Sequence, residues 1–141
     1  MRNWVIRVVI LPVLISLFSL APLTFEIFSV SALEITRIKP DELKRMIESK
    51  ANIVVVDTQP KGAYEIGHIK GAISFPWVPD IKSPGNLPYN KTLILYCDCP
   101  HEEDSIDVAN QLTEKFGHRD IKILEGGWLG WQKLAYPIEK K

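Results

Sequence analysis

The sequence predicts an α/β domain built on a mostly parallel sheet, because strand-like and helix-like segments alternate along it. Residues 53–56 and 93–96 are continuous apolar runs, the pattern of strands that are covered on both faces. Residues 40–47 and 105–116 carry apolar side chains at helical spacing. The chain has 141 residues, a length that suits one domain.

The first predicted elements are a weak edge strand and an amphipathic helix. Residues 34–38 alternate only weakly between apolar and polar side chains. Residues 40–47 begin with a proline and two acids, which favour a helix N-terminus. The apolar side chains of this segment share one helix face: Leu43, Met46 and Ile47. We therefore expect this helix to pack on the sheet.

Shorter elements are predicted after the buried strand at residues 53–56. Residues 62–66 suit a short helical turn, and residues 67–73 form a glycine-bracketed turn that leads into another strand. Residues 77–90 are rich in proline, glycine and asparagine, so they predict a loop. Trp77 lies in that loop, at the mouth of a cleft or in ordinary packing.

The C-terminal half repeats the alternation. A helix over residues 105–116 stops at Gly117, and residues 121–124 form the next strand. His118 is predicted to be a solvent-exposed loop residue. A last short helix covers residues 128–134, in which the tryptophans at 128 and 131 are expected to pack against the domain.

The first 32 residues have the composition of an export segment. Arg2 and Arg7 precede a long apolar stretch, and small residues follow up to Ala32. This order is typical of a secretory signal peptide. The apolar stretch exceeds what a signal needs, so a membrane anchor at residues 8–28 stays an alternative. Both interpretations leave residues 33–141 as the folded domain, exported to a periplasmic or other extracytoplasmic location.

Composition excludes one class of partner and one class of fold. The 17 basic and 17 acidic residues balance, and no basic stretch occurs. We therefore expect no nucleic-acid partner, and contact with a membrane only through the N-terminal segment. The chain has 2 cysteines, too few for a disulfide framework.

Both cysteines lie where a predicted strand ends. Cys97 directly follows the apolar run at residues 93–96, and Cys99 comes one residue later. A strand end that leads into a loop is the usual place for a reactive group held by a rigid scaffold. A metal site made from these thiols and His101 would be cramped and would lack a second cluster, so no metal is predicted.

Three segments, taken in order, resemble the signatures of the rhodanese-like domain family. The first joins VDT to GHIKGAI, the second is LYC, and the third is LEGGWLGW. They lie at residues 56–73, 95–97 and 124–131. The match in order and spacing extends over nearly the whole folded part, so the chain is identified as similar to this family.

The resemblance implies a five-stranded parallel sheet with helices on both faces, and sulfurtransferase chemistry. A cysteine of the family takes a sulfane sulfur from a donor such as thiosulfate, becomes a persulfide and passes the sulfur to a thiol or cyanide. The implied partners are a small-molecule or protein donor and a thiol acceptor, with no metal or organic cofactor. Asp57 and His68 of the first signature would support the site, by bracing turns rather than by chemistry.

The loop after the strand departs from the family's pattern. A typical member has four residues between its cysteine and an arginine, which helps to bind an anionic donor. Here no lysine or arginine occurs between Lys91 and Lys115. The predicted active loop instead comprises Asp98, Pro100, His101, Glu102, Glu103, Asp104 and Ser105. Carboxylates raise the pKa of a nearby thiol and repel anions, so thiosulfate is not the favoured donor.

Either cysteine matches part of the family's pattern. Cys97 matches the strand end, and Cys99 matches the loop length that leads to the helix. Core packing fixes strand positions while loops tolerate insertions, so we favour Cys97 as the sulfur carrier. Cys99 would then be a second thiol that resolves a persulfide or closes a disulfide. Two other functions stay open: a non-catalytic rhodanese-like binding module, and a thiol–disulfide redox protein that uses the pair.

Overall fold

The computed structural model describes residues 35–141. The predicted signal peptide or anchor lies outside these residues. Within them, no helix is both long enough and apolar enough to cross a membrane. The described elements, in chain order, are β1 (Thr36–Ile38), α1 (Pro40–Glu48), β2 (Ile53–Asp57), α2 (Lys61–Ile66), β3 (His68–Ile69), β4 (Ile73–Ser74), β5 (Thr92–Tyr96), α3 (Glu103–Phe116), β6 (Ile121–Leu124), α4 (Gly127–Lys133) and β7 (Ile138–Glu139).

A five-stranded sheet organises the domain, in the order β1-β6-β5-β2-β4. Each neighbouring pair in this sheet runs parallel, which confirms the predicted fold class. In the central pair, Asp57 lies opposite Tyr96. The carboxyl ends of β2 and β5 therefore lie side by side, where ligands bind in open α/β sheets.

Helices cover both faces of the sheet, as predicted. Leu93 and Leu95 of β5 pack in one hydrophobic cluster with Val108 and Leu112 of α3. The alternate residues of the same strand point to the other face, where a second cluster includes residues of α1 and α4. That second cluster includes Leu43, Ile94, Tyr96, Trp128 and Trp131. The expected packing of the two tryptophans is thus confirmed.

The structure adds a small second sheet that the sequence did not predict. β3 and β7 pair antiparallel, with His68 opposite Glu139. Strands of two residues are too short to show a periodic pattern. This pairing holds the C-terminal segment that contains β7 next to the turn at residues 67–71.

One boundary and one burial prediction need correction. Helix α3 begins at Glu103 rather than at Ser105, because acids in its first turn favour the helix N-terminus. His118 is not solvated: only 3% of it is exposed, and its ring stacks on Tyr89 with centroids 4.1 Å apart. Burial lowers the pKa of His118.

The proline-rich loop at residues 77–90 has neither helix nor strand, as predicted, yet it is firmly attached. Gln111 of α3 accepts a hydrogen bond from the Ile81 N–H at 2.8 Å and donates one to the Val78 carbonyl at 3.1 Å. Trp77 donates to the Asp107 carboxylate at 2.7 Å. The loop therefore lies along α3, from its second turn at Asp107 to its last turn at Lys115, which binds Asp80.

Candidate functional site

Cys97 lies at the carboxyl end of β5, and its backbone is tightly held. Its side chain is fully buried, and its carbonyl accepts a hydrogen bond from the Trp128 N–H at 2.8 Å. The approach is so close that a Cβ atom on Gly127 would lie 2.2 Å from the Cys97 oxygen. The start of α4 thus fixes the position of Cys97.

The two cysteines form a disulfide, one of the alternatives that their spacing left open. Their Cα atoms are 5.5 Å apart. Ser105, in the first turn of α3, directs its hydroxyl at the Cys97 sulfur at 3.3 Å. In this oxidised state neither sulfur is a nucleophile, because only a thiolate attacks. Reduction would leave the Cys97 sulfur beside a hydroxyl donor.

Glu102 anchors the loop between Cys99 and α3. One carboxylate oxygen pairs with Arg37 of β1 at 3.1 Å, and the other accepts a hydrogen bond from the Gly126 N–H at 3.0 Å. Glu102 adopts the left-handed conformation, with φ 61°. The Glu103 carboxylate accepts a hydrogen bond from the His101 N–H at 3.1 Å. Glu102 therefore binds the loop to the scaffold, and Glu103 makes a contact within the loop.

Asp98 and Asp104 are two acids of the cysteine loop that lie close enough to repel each other. The pKa of Asp104 is raised, first by its partial burial and then by repulsion from Asp98, Glu103 and Asp107. Asp98 is exposed, as are Pro100 and His101. Arg37 is the one described basic side chain that pairs with a carboxylate of this loop, and sequence reasoning missed it because it lies on a distant strand.

Asp57 braces the neighbouring strand end from inside the core. It is fully buried, and one oxygen accepts a hydrogen bond from the Gln59 N–H at 2.8 Å. The other oxygen accepts from the Gln59 amide at 3.0 Å and from the Tyr96 hydroxyl at 2.6 Å. Burial raises the pKa of Asp57, and these hydrogen bonds oppose that rise. The carboxylate supports the residue that precedes Cys97.

His68 binds elements other than the cysteine loop. Its Nδ1 lies 2.7 Å from the Tyr64 carbonyl, and its Nε2 lies 3.2 Å from the Glu139 carboxylate. Its ring stacks on that of Tyr64, with centroids 3.8 Å apart. These contacts join α2 to β7, as expected of a residue that braces a turn.

Two surface grooves lie away from the cysteines. The first groove has a volume of about 290 Å³ and is lined by Met46, Ile53 and Lys70 among others. The second has a volume of about 230 Å³, and its lining includes Lys44 and Trp131. No residue of the cysteine loop lines either groove. Among residues 35–141 no group of three potential metal ligands occurs.

Comparison with known proteins settles the family. Residues 39–134 match the model of the rhodanese-like domain. The chain belongs to the rhodanese-like domain family. The matched range contains Asp57, Cys97 and Cys99.

Curated relatives of this rhodanese-like chain include larger proteins. An adenylyltransferase and sulfurtransferase from Debaryomyces hansenii is 28% identical over 105 residues, which cover 69% of this chain and 23% of that protein. A putative thiosulfate sulfurtransferase from Mycolicibacterium smegmatis is 23% identical over 118 residues, with 72% and 42% covered. The rhodanese-like chain thus spans less than half the length of these relatives.

Solved structures agree with the fold. The BH2092 protein from Bacillus halodurans superposes with a TM-score of 0.67 at 28% identity, covering 74% of this chain and 77% of that one. A rhodanese-related protein from Thermoplasma volcanium superposes with a TM-score of 0.63 at 22% identity, covering 75% and 99%. The second likeness concerns the fold alone.

Proposed function

We propose that this rhodanese-like protein is a sulfurtransferase that carries a sulfane sulfur as a persulfide on Cys97, outside the cytoplasm. The observation that carries the proposal is the place of Cys97: the carboxyl end of β5, directly before the loop and helix α3. The positive end of a helix stabilises a nearby thiolate. The Ser105 hydroxyl lies 3.3 Å from the sulfur and 3.1 Å from the Glu102 carbonyl, so its one proton is shared between these two acceptors.

Cys97 suits the role of carrier better than Cys99. Its backbone is fixed by the Trp128 N–H, whereas Cys99 lies in the loop and is only partly buried. A rigidly held nucleophile loses less entropy when it reaches the reactive geometry. The Cys97–Cys99 disulfide must first be reduced by a thiol, because sulfur transfer starts from the thiolate.

The test is the mass of the full-length protein after exposure to donors. The reduced chain is incubated with thiosulfate or with cysteamine persulfide, which carries an ammonium group. We expect Cys99→Ser to gain one sulfur and Cys97→Ser to gain none, since only Cys97 is expected to be the carrier. A sulfur gain in Cys97→Ser, or no gain in Cys99→Ser from either donor, contradicts the proposal.

We propose that Asp98 and Asp104, the neighbouring acids of the cysteine loop, select against anionic donors. Asp98→Asn combined with Asp104→Asn is expected to raise kcat/KM for thiosulfate about fivefold, because it removes roughly 1 kcal/mol of solvent-screened repulsion. The rate with cysteamine persulfide should not rise. Glu114→Gln is the matched control, since Glu114 is an exposed acid near the far end of α3. An equal rise for both donors would show that charge is not the cause.

The disulfide favours a second candidate, thiol–disulfide exchange with a partner dithiol. In that case the Cys97 and Cys99 thiols would cycle between the reduced state and the disulfide. The same mass measurement separates the candidates. If the protein acts only by thiol–disulfide exchange, Cys99→Ser gains no sulfur from either donor under anaerobic conditions.

A further inference from the structure

We propose that Cys99 resolves the Cys97 persulfide, so that hydrogen sulfide leaves and the Cys97–Cys99 disulfide forms. This inference rests on the proposed function of Cys97 as the sulfur carrier. It assigns the second cysteine a role in the reaction and explains why a sulfur-carrying scaffold holds a disulfide at its reactive position.

The step balances without an external oxidant. The Cys99 thiolate attacks the Sγ atom of Cys97, and a bond forms between the two Sγ atoms. The bond from Cys97 Sγ to the outer sulfur breaks, and its electron pair leaves with the outer sulfur. That hydrosulfide takes up the proton released by the Cys99 thiol. The sulfane sulfur is reduced to sulfide while the two thiols are oxidised to a disulfide.

The backbone places the two cysteines for this step. Their Cα atoms are 5.5 Å apart, within the usual range of bonded pairs. The Trp128 N–H binds the Cys97 carbonyl at 2.8 Å, and the Glu102 N–H binds the Cys99 carbonyl at 3.4 Å. The attack is therefore intramolecular between two held groups, which gives it a large kinetic advantage over a thiol in solution.

Glu102 keeps the attacking residue near its target. Its carboxylate bridges Arg37 on β1 and the Gly126 N–H before α4, so the loop is bound on two sides. These contacts are separate from the cysteines themselves. The same loop can therefore hold the pair both as thiols and as a disulfide.

The geometry favours attack on the inner sulfur. The disulfide joins the Sγ atoms of Cys97 and Cys99, so Cys99 reaches the atom of Cys97 that would carry the outer sulfur. Hydrosulfide is a good leaving group, because thiols of low pKa leave faster.

A dithiol reductant completes the cycle. It converts the disulfide to two thiols and is itself oxidised to a disulfide, so that the next sulfur can be loaded. The partner class is therefore a protein or small molecule with two neighbouring thiols, in addition to the sulfur donor.

The experiment follows both products under anaerobic conditions. Reduced full-length protein receives one equivalent of cysteamine persulfide, and free sulfide and intact mass are measured over time. Wild type should release one equivalent of sulfide and end two hydrogens lighter than its reduced form. Cys99→Ser should retain the added sulfur and release sulfide at least ~100-fold more slowly, because the held neighbouring thiol is gone.

The outcomes separate this inference from the proposed function. A wild-type protein that keeps a stable persulfide on Cys97 and releases no sulfide overturns the inference and leaves the function standing. Failure of Cys99→Ser to gain any sulfur contradicts the proposed function. The unmodified protein gives a second readout: oxidised wild type treated with sodium sulfide should gain one hydrogen sulfide and carry the persulfide on Cys97. A persulfide mapped to Cys99 instead overturns the inference.

Discussion

Replacing Gly127 with alanine is expected to destabilise the domain severely. Gly127 has φ +48°, and a Cβ atom there would lie 2.2 Å from the Cys97 carbonyl oxygen. That oxygen belongs to the backbone at the end of β5, so it can move only if its hydrogen bond from the Trp128 N–H is disturbed. We expect a loss of about 4 kcal/mol or more in the free energy of unfolding, measured by urea denaturation.

Gly126→Ala is the matched control for that substitution. Gly126 also has a positive φ, +70°, but its Cβ would approach no atom closer than the Gly130 Cα at 3.5 Å. Its cost should be only that of the left-handed conformation, about 1–2 kcal/mol. If both variants lose the same amount of stability, the close approach of Gly127 to the Cys97 oxygen does not contribute to the cost. The start of α4 would then not fix the position of Cys97.

The sheet could be predicted because its central strands carry a strong signal. The runs at residues 53–56 and 93–96 are apolar on both faces, and only strands buried between two helix layers need that pattern. β3 and β7 could not be predicted in the same way. They have two residues each, and their pairing depends on tertiary contacts such as His68 with Glu139.

The candidate site was predictable where it depends on strand ends and less so where it depends on distant contacts. Cys97 and Asp57 follow directly from the ends of the two central strands. The run of acids in the loop gave no sign that Glu102 pairs with Arg37, because the two residues are far apart in sequence. His118 was misassigned for the same reason, since its partner Tyr89 lies in the proline-rich loop.

The position of Cys97 depends on a buried network on the other side of β5. The Tyr96 carbonyl accepts hydrogen bonds from the Thr58 N–H at 2.9 Å and the Thr58 hydroxyl at 3.0 Å. The Tyr96 side chain meanwhile binds Asp57 and the Ile69 N–H. The residue before the reactive sulfur is thus held through its backbone and its side chain together.

Tyr96→Phe is therefore expected to cost about 2–3 kcal/mol of the free energy of unfolding. The hydroxyl donates to Asp57 at 2.6 Å and accepts from the Ile69 N–H at 3.0 Å. Its removal leaves a buried N–H without an acceptor and a buried carboxyl without one of its donors, and each such group carries a desolvation penalty. Tyr89→Phe is the matched control, since Tyr89 is 63% exposed and should change stability by no more than ~0.5 kcal/mol.

The pH dependence of Tyr96→Phe tests whether its loss of stability arises from a changed pKa of Asp57. Burial holds the pKa of Asp57 above its ordinary value of 3.8, and the Tyr96 hydrogen bond lowers it, so Tyr96→Phe should raise that pKa further. A carboxyl whose pKa is higher in the folded state stabilises the fold fully below its unfolded pKa and loses that contribution as pH rises through its folded pKa. Stability of Tyr96→Phe should therefore fall more steeply than that of wild type as pH rises from about 4 toward neutrality. Urea midpoints that stay parallel for the two proteins across this range would show that Asp57 is not coupled to Tyr96.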